Sequence, residues 1–435
     1  MEHFWKVNHM VVSNLKLRFS YGELGNGNVA AYSYLEKFSF GNMSTMVLDG
    51  VTRARYTTLP SQIPDNLTWE TARTVDAGLD ISFLKGRIEL TADYYLRRSY
   101  NMFTVGPTLP DTYGASAPRG NYADMHTHGF ELSLAYNDSF RVGAHEMNLG
   151  LKATLADSRT WIDKYNNPTG DLDDYRVGEE IGEIWGYICN GLFQSQDQID
   201  NYYGPGDPYV NTKFPLSSGY IVAPGDIIVE DLNGNKIIDS GAWTASDPGD
   251  RRIIGNSSPR FRYSFTLNLE WNGIFASAFF QGVGKQDWYP SKESPFWGQY
   301  NRPYNQAYKW MLGNYWTKDN PDAYLPKYAG YYNPFFSGIP ISRYIQDVSY
   351  VRLQNLQVGW NLPKKWLERA KLSGVSIYFS GENLWTWSPM YRWTRDFDVV
   401  TVTQASDTDI TSDNKGDGFN YPTMKTFSIG VTIKY

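Results

Sequence analysis

Apolar side chains recur at every second position along most of this chain, the period that sends successive side chains to opposite faces of a β-strand. Leu15, Leu17, Phe19 and Tyr21 alternate with Lys16, Arg18 and Ser20. Val75, Ala77, Leu79, Ile81 and Phe83 alternate with Asp76, Gly78, Asp80 and Ser82, and the pattern resumes after Lys85-Gly86 at Ile88, Leu90, Ala92, Tyr94 and Leu96. Seven further stretches follow the same rule: 130–136, 147–155, 263–271, 274–280, 351–358, 375–379 and 427–435. Asn272-Gly273 is a tight-turn dipeptide between two of them, and KKWLERA after Pro363 predicts a short helix. Ten strands are expected, with arms of about ten residues, the length that takes a tilted strand across a bilayer.

The connections between these strands sort by length. Those after the second, fourth, sixth and eighth strands are short, and those after the first, third, fifth, seventh and ninth are long. In an up-and-down barrel this places every long loop at one end, as outer-membrane barrels place theirs outside the cell. The two faces differ accordingly. Trp271, Tyr136, Tyr94 and Trp360 stand near strand ends on the apolar face, where an interfacial aromatic girdle belongs. The other face carries Asp76, Asp80, Glu89, Asp93, Glu131, Arg262, Asn268 and Glu270, as a wet or plugged lumen would. A soluble β-sandwich with large insertions is the competing architecture.

Composition narrows the class. Aromatics make up 16% of the 435 residues and apolar types only 41%, too polar for a helical membrane protein and too aromatic for a disordered one. No run of 18 apolar residues exists, so only a closed barrel could carry this chain through lipid. The net charge of -6 argues against nucleic-acid partners. One cysteine, Cys189, permits no intrachain disulfide and has no base beside it in sequence, so an inert thiol is expected. No basic stretch followed by an apolar one opens the chain, and ten strands enclose little. The expectation is that residues 1–435 are the C-terminal portion of a larger barrel, with a comparable or larger N-terminal part lying ahead of them.

Seven segments in a consistent order resemble the SusC/RagA-type TonB-dependent transporters, outer-membrane uptake channels of the Bacteroidetes. They are VSNLKLRFSYGELGN, TWETARTVDAGLDISFLKGRIELTADYYLR, RGNYADMHTHGFELSLAY, EEIGEIWGYICNGLFQ, PGDIIVEDLNGNKIID, VSYVRLQNLQVGWNLP and GENLWTWS, spread over residues 12–388. The resemblance implies a 22-stranded plugged barrel, of which this chain supplies about the last ten strands. It also implies energy coupling through TonB, a SusD-like lipoprotein lid, and an oligosaccharide or peptide substrate too large for porins. An outer-membrane enzyme and a surface glycan-binding β-protein are the rival classes. No GxSxG or HExxH motif is present, so no serine hydrolase or zinc enzyme is indicated.

Several residues are candidates for chemistry. Asp231, Asn233, Asn235 and Asp239 alternate along DLNGNKIID as Ca2+ ligands would, yet Lys236 stands where an EF-hand needs glycine and Ala242 where it needs glutamate. Calcium and a plain Asx-turn are both open readings. His126 and His128 share one strand face but lack a third ligand, so exposed strand-end histidines are expected. Trp185, Tyr187, Trp288, Trp297, Trp385, Trp387 and Trp393 fall in or beside the long loops and are candidates for contact with sugar or peptide; packing of the loops is the alternative. Ser428, Gly430, Ile433 and Tyr435 resemble the C-terminal signal read by the outer-membrane assembly machinery, against the alternative of an ordinary final strand.

Overall fold

A computed structural model describes residues 11–27, 38–58, 67–107, 117–203, 221–235, 237–300, 304–330, 340–402 and 417–435, with a few positions between them. Ten strands form one sheet: β1 (Val12–Asn26), β2 (Glu70–Phe83), β3 (Ile88–Val105), β4 (Arg119–Val142), β5 (His145–Lys164), β6 (Arg260–Trp271), β7 (Ile274–Lys285), β8 (Tyr350–Asn361), β9 (Gly374–Trp387) and β10 (Thr426–Lys434). They are hydrogen-bonded in chain order and every neighbouring pair is antiparallel. The sheet is open, with β1 and β10 at its edges. No helix among the described residues is long and apolar enough to cross a membrane.

All the short connections lie at one end. At the β6–β7 turn Asn272 and Gly273 have φ of 50° and 81°, the two left-handed positions of a type I′ hairpin. The Pro363 segment forms one helical turn, Lys364–Leu367, continued by Glu368–Ala370.

Register fixes the faces. On the outer face Leu132 pairs with Leu155, Leu151 with Leu267, and Phe265 with Phe280. Many of its large apolar side chains are exposed, Phe19 at 75% and Ile429 at 82% among them. A water-soluble sandwich would cover such a face with a second layer. Instead, the buried hydrophobic core sits off the sheet, built from Tyr187, Phe193, Trp297, Tyr300, Leu325, Tyr344 and Val399 of the long loops. The wall faces lipid and the loops hold their own core as an external cap.

The apolar band has a readable height. On β5 it runs from Met147 to Leu155, nine residues at about 3.3 Å each, or roughly 20–25 Å along the membrane normal at a ~40° tilt. That matches the hydrocarbon band of an outer-membrane barrel. Beyond it the outward positions become His128, His126, Arg159 and Trp161. Strand pairing nonetheless continues, so β3, β4 and β5 are 18, 24 and 20 residues long, about twice the expected arms. Hydrogen bonding sets where a strand ends, whereas the sequence period records only where lipid ends.

Glycines on the inner face seat aromatic rings. A Cβ on Gly129 would stand 2.3 Å from the Tyr95 ring, one on Gly359 2.3 Å from Phe275, and one on Gly430 2.2 Å from Tyr378. Each ring covers the backbone of the neighbouring strand, which pins register as well as packing.

Candidate functional site: a cavity between wall and cap

The inner face is polar and cross-linked rung by rung. Arg18 bridges Asp80 at 2.9 Å and Asp93 at 2.8 Å. Thr154 and Ser264 hydroxyls are 2.6 Å apart, and Ser277 donates to Asn268 at 2.8 Å. Higher up, Arg352 reaches across to Asp398 at 2.5 Å, both side chains only 5% exposed, and donates through Nε to Thr386 at 2.9 Å. This pair ties the loop after β9 to the wall.

Where the wall meets the cap, β5, β6 and β7 open into a cavity of about 680 Å³. Thr154, Arg262, Ser264, Gln281 and Tyr350 line it from the wall, and Ser257, Ser258 and Gln286 from the loops above. Mixed polar and apolar lining of this size suits a small organic molecule or one stretch of a larger one. A second cleft of about 530 Å³ lies near the short turns, with Asn137, Asn148, Asn268 and Glu270 among its lining residues.

The loop aromatics do not line the larger cavity. Tyr187 and Trp297 are 1% and 0% exposed inside the cap, and Trp288 is buried beside Phe296 and Phe397. Trp393 stacks on Tyr324 with ring centres 4.0 Å apart. Trp185 lies under the Arg176 guanidinium and donates to Glu183 at 3.1 Å. Trp385 and Trp387 pair with Leu353 and Val351 on the outer face, at its cap end, while Thr386 between them points inward to Arg352. They extend the aromatic rim rather than the lumen. Packing thus accounts for the four buried or stacked rings.

In the DLNGNKIID loop each candidate oxygen caps a backbone amide. Asp231 accepts from Gly234 at 2.8 Å, Asn233 from Asn235 at 2.9 Å, Asn235 from Ile237 at 2.7 Å and Asp239 from Gly241 at 2.9 Å. Lys236 lies outside the described residues. Beneath the loop Asp250, fully buried, accepts from Leu232 and Asp239; burial pushes its carboxyl up, partly offset by these amides. These are the hydrogen bonds of successive Asx-turns. Chelation with EDTA is therefore expected to leave protease cleavage within residues 231–239 unchanged; protection that appears on adding calcium would reverse that reading.

The remaining candidates are placed plainly. His126 Nδ1 donates to Asp163 Oδ1 at 2.6 Å, and its ring stacks on Trp161, which His128 meets edge-on. Both sit on the outer face above the apolar band. Burial pushes the Cys189 thiol up, away from reactivity. Ser428 and Gly430 face inward, opposite Ser380 and Tyr378, and Ile433 and Tyr435 are exposed on the last strand. Gly430 therefore has a packing reason of its own beneath Tyr378.

Residues 4–384 match the family described as TonB dependent receptor-like, beta-barrel. The chain belongs to this family. TonB-dependent receptor P3 of Formosa agariphila is 27% identical over 459 aligned positions, covering 100% of this chain and 40% of that protein. TonB-dependent receptor SusC of Bacteroides thetaiotaomicron is 22% identical, covering 98% of this chain and 38% of its own length. The structure of the RagAB peptide transporter superposes with a TM-score of 0.68 at 18% identity, over 100% of this chain and 42% of that one. This TonB-dependent receptor chain thus spans about two-fifths of the length of the relatives it matches. It is part of an outer-membrane β-barrel, and the matched relatives are named as receptors.

For this TonB-dependent receptor, sequence reasoning placed Arg262 on the polar face but gave it no role. It missed the Arg352–Asp398 pair, whose partners lie in different elements. A faint signal existed for Arg262: an inward position one turn of pleat past the longest loop.

Proposed function

We propose that this chain forms the C-terminal wall and external cap of an importer that moves an oligosaccharide or a peptide across the outer membrane, driven through TonB. The observation that carries this is the cavity between wall and cap, polar on the luminal side and roofed by loops that hold a core of their own. A binding site at that level meets a cargo arriving from outside before it enters the lumen. In this reading a plug and further strands complete the barrel against the open edges of β1 and β10. A SusD-like surface lipoprotein closes over the cap. Similarity to SusC and to RagAB supports a partner of this kind, and the cargo class stays at oligosaccharide or peptide.

The test is purification from outer membranes in mild detergent, followed by mass spectrometry of what travels with the protein. A surface lipoprotein in near-equal amount and a retained cargo are expected. A detergent-independent, partnerless protein would sink the reading.

A further inference from the structure

Several arginines around the cap are matched to a carboxylate, whereas Arg392 and Arg395 lie over the Trp393 and Tyr391 rings. Arg159 meets Glu180, Arg260 meets Asp157 at 2.5 Å, and Arg352 meets Asp398 at 2.5 Å. Arg262 is different. Its rung neighbours are Ala156 on β5 and Val283 on β7, neither of which has a side-chain acceptor. On the next rung toward the turns, the Thr154 and Ser264 hydroxyls are bonded to each other. Glu131 shares the Arg262 rung but lies two strands away, about 10 Å at the usual strand spacing. Among the described residues no carboxylate comes within ion-pair distance of Arg262, and its side chain is exposed in the 680 Å³ cavity.

A guanidinium offers five donors in a planar fork that fits a carboxylate bidentately, and it stays charged at any working pH. We propose that Arg262 recognises a carboxylate on the imported molecule, making the cavity selective for acidic cargo. This rests on the import reading above. The cavity provides the geometry, the flanking Ala156 and Val283 leave the fork unsatisfied by the wall, and Gln281 stands ready to hydrogen-bond the cargo beside its charge.

The experiment uses the protein isolated from outer membranes with its native partners, and two matched pairs of probes. One pair is an oligogalacturonate and its methyl ester; the other is a tetrapeptide with a free C-terminal carboxylate and its amide. Binding is read by calorimetry and uptake by cells is measured in parallel. The acid of one pair should bind roughly 10- to 100-fold more tightly than its neutral form, the range for a lost charge-assisted hydrogen bond. Arg262→Ala should abolish that ratio while leaving the neutral probe's affinity unchanged, and Arg262→Lys should keep part of it. Whichever pair shows the ratio names the source of the carboxylate. No preference in the wild type, or a preference that survives in Arg262→Ala, overturns the proposal and leaves import standing. So does an Arg262→Ala protein whose thermal unfolding drops with no change in the ratio, since the guanidinium would then serve a carboxylate of the protein itself. A protein that takes up none of the four probes and no native cargo overturns the import reading instead.

Discussion

Arg352→Ala is expected to loosen the cap around residues 396–402, at a cost of about 3–5 kcal/mol, the usual penalty for leaving one member of a buried ion pair without its partner. Asp398 is held by more than the arginine: Val400 N–H donates to it at 3.0 Å and Thr423 N–H at 2.9 Å. Burial pushes its carboxyl up, but the Thr423 and Val400 hydrogen bonds and the guanidinium outweigh this and hold it below the ordinary carboxylate value. A folded-state value that is depressed contributes stability above the unfolded carboxyl's pKa of about 4. That contribution is lost as pH falls through the lower folded value. Without Arg352 burial is less opposed, so the loss should begin at higher pH. Hydrogen exchange of the 396–402 amides is the measurement, with protection expected to fall about 10²- to 10⁴-fold at pH 7 in the variant. Unchanged protection would mean that the loop after β9 is not tied to the wall through this pair.

Leu267→Arg is expected to impair folding into the membrane by about 2–4 kcal/mol, as a charge at the bilayer midplane does on a barrel's lipid face. Leu267 is central in the β6 band, with Leu151 on one side and Ala278 on the other. Its neighbour Asn268 points to the lumen and accepts from Ser277, so Asn268→Arg places the same charge in water and should cost under about 1 kcal/mol. Urea unfolding from liposomes, read by the gel shift of heat-modifiable barrels, separates the two. Equal effects at 267 and 268 would contradict the assignment of faces.

The sequence was strongest where structure is local. Alternation along 15–21, 75–96, 130–155, 263–280, 351–379 and 427–435 corresponds to the ten strands of the sheet in their observed order, because side-chain direction in a strand depends on nothing but position parity. Parity also separated lipid-facing Leu267 from luminal Asn268. Strand ends were less legible. β4 continues through His128 and His126 because backbone pairing persists above the lipid, where no apolar period marks it.

The loop aromatics were ambiguous in sequence for a physical reason: a flat ring that packs a cap and one that holds a cargo have the same composition around them. Only the tertiary structure showed Trp297 enclosed and Trp385 turned outward. The same holds for Arg262 and Arg352. Both are inward arginines flanked by apolar residues, and nothing near them in the chain tells them apart. Arg352 meets Asp398, 46 positions along, because the loop after β9 folds back onto the wall. Arg262 faces the cavity because its rung neighbours are Ala156 and Val283. The chain's pattern therefore determined a membrane-spanning sheet and its two faces, and long-range packing decided which of its charges are spent within the protein and which remain for a ligand.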